Sequence, residues 1–140
     1  MDTWEIMGAL AAQIKTQIGT AVPDLQVNGF FDALPTPPSI DVYPDEAEAG
    51  TPLSFKGVVD LNLNVRARIN AMDRESQQKL LVKMMSSGPE SVGKAIRFDR
   101  TLGARCTNLG ITNMTGFQLM QDTGGDQWYI GVIWSVRVVP

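Results

Sequence analysis

No histidine occurs among the 140 residues of this sequence. Imidazole is the base of the Ser/His/Asp and Cys/His nucleophile systems, so both are excluded. Zinc or iron held by histidine goes with them, and the single cysteine, Cys106, cannot build a thiolate metal site or an internal disulfide framework. The titratable groups that remain are carboxylates, lysines and tyrosines. Asp45 and Glu46 are adjacent carboxylates with Glu48 close behind. Nothing in their neighbourhood would desolvate one of them and raise its pKa, which an acid/base pair requires. A solvated acidic loop ending near Gly50 and Pro52 is the plainer reading. No glycine-rich phosphate loop precedes a helix, because Gly124-Gly125 falls in a turn, and no calcium-loop or paired-cysteine spacing occurs. The sequence therefore predicts no cofactor and no catalysis. Its chemistry is expected to be that of surfaces.

The polar residues best suited to surface recognition are Asn64, Arg66 and Arg68. They lie in the segment from Phe55 to Ala71, where eight of nine odd positions are apolar and only one of eight even positions is. That alternation predicts a strand, about 55 Å long at ~3.3 Å per residue if continuous. Asn62, Asn64 and Asn70 on its polar face offer donors and acceptors, and Arg66 and Arg68 offer planar forks for carboxylates. Two readings stay open: a sheet with one wet side, or a strand overhanging its sheet to meet a neighbouring subunit.

Other elements must position this strand. Asp2 is a good N-cap with Glu5 in capping-box position. Trp4, Met7, Leu10, Ala11, Ile14 and Ile18 follow at helical spacing, with Gly19 and Pro23 as stops. The stripe is read as core packing rather than a partner-binding face. Short strands are expected at 25–30 and 40–43, on either side of the stiff Leu34-Pro35-Thr36-Pro37-Pro38. A second helix is expected from an N-cap at Asp73 to a stop at Gly88, with Gln77, Leu80, Leu81, Met84 and Met85 inward. A shorter one opens at Pro89, capped by Ser87 or Gly88, with Val92, Ala95 and Ile96 inward. A strand over 105–113 would hold Cys106 as a small, unactivated residue. A segment at 117–121 and a turn at Asp122–Asp126 lead to the last strand, whose two apolar faces place it centrally.

Twelve Lys plus Arg stand against 15 Asp plus Glu, a net charge of −3, which argues against a broad basic face for nucleic acid. Acidic Asp2 and Glu5 stand where an export signal would be basic, and no apolar stretch approaches a membrane span. The expected architecture is a single α+β domain over 1–140. It has a mainly antiparallel or mixed sheet with one long strand, covered by the N-terminal helix and a central helix pair.

The order of elements and several strings take the reading further: PPSIDVYPD, then FKGVVDLNLNVRARINAMD, then MMSSGPESVGKAIRFDRTLG, and finally DQWYIGVIWSVRVV. Together they resemble the tail terminator, or tail completion, proteins of long-tailed, non-contractile bacteriophages, particularly those of actinobacterial hosts. The resemblance covers nearly the whole chain. It implies helices on one face of the sheet and assembly as a homo-hexameric ring. Such a ring caps the major tail tube protein, ends tail growth together with the tape-measure protein, and meets the head-completion (stopper) protein of the neck. It also implies a protein made in the host cytoplasm and carried in the virion, with DNA passing non-specifically through a neutral or acidic lumen and no membrane partner. A negative net charge repeated around a ring agrees with that.

On the residues themselves, Asn64, Arg66 and Arg68 are expected at the subunit interface, since charge-assisted bonds fix register. Asp45, Glu46 and Glu48 are expected either opposite them or in the lumen. The alternatives are another neck or tail component, such as a head-completion protein or a tube subunit, and, from another class, a small-molecule-binding enzyme subunit using carboxylates. Tube proteins tend to a closed barrel with a long loop, which helical segments near 73–97 count against. A ligand-binding enzyme would melt with ligand dependence, and a ring with concentration dependence.

Overall fold

The computed structural model describes residues 2–32, 36–45, 60–71, 75–121 and 128–140. Helix α1 spans Thr3–Ile18, and Asp2 caps it by accepting from the amides of Trp4 and Glu5. Its Met7, Leu10, Ala11, Ile14 and Ile18 are buried as the spacing predicts; Ile6 joins them, and Trp4 lies open to solvent. The helix ends at Gly19 in a right-handed conformation. Strand β1 is Gln26–Asn28 and β2 is Ser39–Pro44, close to the two short strands expected.

Strand β3 covers Leu61–Asn70, and its odd residues Leu61, Leu63, Val65, Ala67 and Ile69 are fully buried. Of the expected 55–71 strand, residues 55–59 lie outside the described residues, as do Glu46, Glu48, the Asp73 cap and the Asp122–Asp126 turn. Helix α2 runs Glu75–Met85, with Leu81 and Met84 buried. Helix α3, Val92–Arg97, starts later than expected: Ser91 caps it through the Lys94 amide, and Pro89 sits in the preceding turn. Proline's fixed φ suits a turn as well as a first helical position, so the residue alone does not set the boundary.

Among the described residues the two longest strands are at the C-terminal end. Strand β4 spans Asn108–Gln121, 14 residues, and β5 spans Trp128–Val139, 12 residues. The expected break between 113 and 117 does not exist; bulges at Ile111/Asn113 and Thr115/Gln118 absorb the irregular pattern instead. Of the long strand expected at 55–71, the described part is the ten residues of β3. The sheet is mixed, in the order β1-β2-β3-β5-β4, with β1 parallel to β2 and all other pairs antiparallel. Helix α1 packs on β1 and β2, α2 on β3 and β5, and α3 on α1 and β4. The core lies between this helix layer and the sheet, where Ile40, Val42, Leu63, Val65, Val132 and Trp134 meet Leu10, Ile14, Leu81 and Ile96. Each fully buried Ile or Leu contributes about 1.5–3 kcal/mol through burial.

Candidate functional site

The face of the sheet opposite the helices carries the polar residues that the sequence singles out. Asp41 on β2 lies directly across from Arg66 on β3, and Ser39 across from Arg68, so all four side chains share this face. Arg66 grips Asp41 in a bidentate pair, Nε to Oδ1 at 3.0 Å and Nη2 to Oδ2 at 2.6 Å. Arg68 Nη2 donates to the Asp32 carbonyl at 2.6 Å and lies 3.4 Å from Asp41 Oδ2. The Asp32 amide donates to the same carboxylate at 3.0 Å. The chain following β1 thus folds over this face, with Asp41 as the hub.

Aromatic rings complete the cover. The Arg66 guanidinium sits 4.8 Å from the ring centres of both Phe31 and Tyr43, which meet edge to face at 5.1 Å. Arg68 lies 5.7 Å from the Tyr129 ring. Asp41 is 1% exposed and Arg68 4%. Burial pushes the Arg68 pKa down and Asp41 opposes that; burial likewise raises the Tyr43 hydroxyl, against Arg66 and a hydrogen bond with Asn64. Asn64, Arg66 and Arg68 are therefore brought to one face, where Asp41 of the same chain engages the two arginine charges and Asn64 bonds Tyr43. Asp45 stands at the end of β2, where its amide donates to the Asn62 carbonyl. Asp41, Asp32, Phe31 and Tyr43 went unnoticed in the sequence. The alternation of Ser39, Asp41 and Tyr43 in the SIDVYP stretch was the available signal.

The far side of the sheet is chemically different. Among the described strands β4 forms an edge, and not one of its 14 residues is charged. Its first half is anchored: Leu109 is buried and Ile111 packs on the core beside α3. Beyond Ile111 no residue of β4 is fully buried. Met114 pairs with Trp134 and Leu119 with Ile130, so both point to the helix side of the sheet, past the reach of the helices. Phe117 lies in the bulge between them, and Trp128 stands opposite Gln121. Met114, Phe117, Leu119 and Trp128 are all exposed, Leu119 at 65%. The signal in the sequence was the run without charge from Cys106 to Gln121.

Two further places were open to chemistry. A groove of about 560 Å³ between the end of α1, Ser87–Pro89 and α3 is lined by Ser91, Lys94 and Phe98 among others, with one cation and no carboxylate. Cys106 lies in the turn before β4, not within a strand; it is buried, and burial raises its pKa. Its thiol faces the Arg100 carbonyl at 3.5 Å, an environment that does not activate it. Among the described residues no group of three or more acidic or cysteine side chains is placed to hold a metal. No described helix is long and apolar enough to cross a membrane. No family model and no curated protein matches this chain.

Proposed function

We propose that this protein is a ring-forming tail terminator of a long, non-contractile-tailed bacteriophage. In this reading, copies of the chain close into a hexamer on the last layer of the tail tube. The ring stops tail growth at the length set with the tape-measure protein and offers its other side to the head-completion protein. DNA passes through the centre without being read, and the protein acts by shape and contact rather than by catalysis.

The observation that carries the reading is β4. Natural monomers blunt an exposed sheet edge with charge, proline, bulges or a short strand; two bulges interrupt the ladder of β4, but no charge guards its apolar side chains, which invite another chain through packing. Here a 14-residue edge has no charge and exposes Met114, Phe117 and Leu119. The local strings that resemble tail terminators, and an α+β fold with helices on one face, agree with it. A solitary small-molecule enzyme has no use for such an edge.

The test is native mass of the purified protein across concentration, alone and with the phage's own tail tube protein. A discrete ring, free or only on tube ends, is the expected result. A strict monomer that ignores the tube would overturn the proposal.

A further inference from the structure

Resting on the ring reading above, we infer that subunits meet head to tail: the apolar stripe Met114, Phe117, Leu119 and Trp128 of one copy receives the stacked Trp4–Phe30 pair of the next. The two patches lie at opposite edges of one sheet. The stripe belongs to the β4 edge, and Phe30 follows β1, the strand at the other edge. Trp4 is 66% exposed and Phe30 is exposed too, their rings parallel within 9° at 6.5 Å between centres. Their position is fixed from behind. A Cβ on Gly29 would lie 2.8 Å from the Gly8 Cα, so α1 and the end of β1 touch backbone to backbone.

The occupant is a second copy because each patch supplies what the other lacks. A methionine-and-leucine stripe suits flat aromatic rings, and Met–aromatic contacts add to simple burial. Charge adds to this on one side: Asp2 lies beside Trp4, while Glu5 is held by Arg105 at 3.2 Å, and α2, which packs on β3 and β5, exposes Lys79 and Lys83. Edge-to-edge pairing of two β4 strands is disfavoured, since the bulges at Ile111/Asn113 and Thr115/Gln118 interrupt a regular ladder.

The area also points to a ring. Fully covering a large aromatic side chain removes about 150–250 Å² of surface. The exposed parts of Trp128, Phe117, Leu119 and Met114 then come to several hundred Å², about half of the ~800 Å² per partner in a stable interface. One such contact holds a pair weakly. Because it joins two different patches it repeats, and closure gives every subunit two of them.

The experiment uses Leu119→Asp, which spoils the stripe, and Trp4→Asp, which spoils the aromatic pair. Both positions are exposed, and far-UV circular dichroism and melting check that each variant folds. Sedimentation is read where the wild type forms rings, with tail tubes added if rings need them. Each variant alone is expected to stay monomeric. An equimolar mixture at the highest soluble concentration is expected to give a 1:1 heterodimer and nothing larger, since one intact stripe meets one intact pair. Wild-type-like rings from either variant would overturn the contact and leave the ring reading standing. Dimers of Trp4→Asp alone, or a mixture with no heterodimer, would overturn it as well. A wild type that never assembles, with or without tubes, removes both.

Discussion

The two halves of this sheet handle exposure in opposite ways. Around β2 and β3 the charges of the polar face are matched within the chain: two arginines, Asp41 and the Asp32 backbone bond to one another under Phe31, Tyr43 and Tyr129, and among the described residues Arg68 Nε and Ser39 Oγ are left without a partner. Around β4 no described residue closes the face, and a charge-free strand presents large apolar side chains to solvent. The ion pairs of the first half close within one chain. In the proposed ring the second half is covered by a neighbouring subunit, whereas the arginines expected at the subunit interface already hold Asp41 of their own chain.

Substitutions should separate the halves, beginning with the largest effect. Asp41→Ala leaves Arg66 and Arg68 without their carboxylate, and breaking a buried pair from one side costs about 3–5 kcal/mol. Chemical denaturation should show that loss, and assembly should fall only as far as folding does. Leu119→Asp should do the reverse. An exposed substitution stays within about ±0.5 kcal/mol in stability, yet native mass should fall to that of the monomer.

Smaller effects refine the picture. Gly29→Ala drives a Cβ against the α1 backbone, an overpacking worth about 1–3 kcal/mol. It should also weaken assembly by shifting Trp4 from Phe30. In the loop before β4, Leu102, Gly103 and Ala104 all adopt left-handed backbone, with φ of 50°, 66° and 68°. Ala104→Gly relieves that strain and should stabilise by about 0.5–1 kcal/mol, a rise of roughly 2–4 °C in Tm.

The same loop predicts a pH dependence. Asp99 accepts from the Thr101 hydroxyl and amide and from the Gly103 amide. Those bonds, the Thr101 hydroxyl first, hold its pKa below the ordinary 3.8. A carboxylate depressed on folding stabilises the protein above its unfolded pKa, and that share is lost as pH falls through the lower folded value. Wild type and Asp99→Asn should therefore differ in Tm at neutral pH and converge below about pH 4.

Much of the fold was legible because its periodicities are clean. The α1 stripe and the alternation through Leu61–Ile69 each follow from one-sided burial. Strand β4 was misread as two pieces because past Ile111 no residue is fully buried, so no alternation is imposed on Thr112–Gly116. The site was half legible. Arg66 and Arg68 could be picked out as forks on a polar face. Their acid could not, since Asp41 is 25 residues from Arg66 and meets it only through the β2–β3 register. The exposed stripe left a compositional trace, a run without charge, but its exposure depends on where three helices end.

Amide hydrogen exchange, resolved by strand, tests most directly the claim that one half is held within the chain and the other is covered by a neighbouring subunit. At low concentration the β3 amides should be slow and those of Met114–Gln121 fast. On assembly, alone or on tail tubes, β3 should stay unchanged while Met114–Gln121 and Trp128 become protected, together with the Trp4 turn. A β4 as protected in the dilute monomer as β3, or one that stays fast when the protein is assembled, would contradict the account.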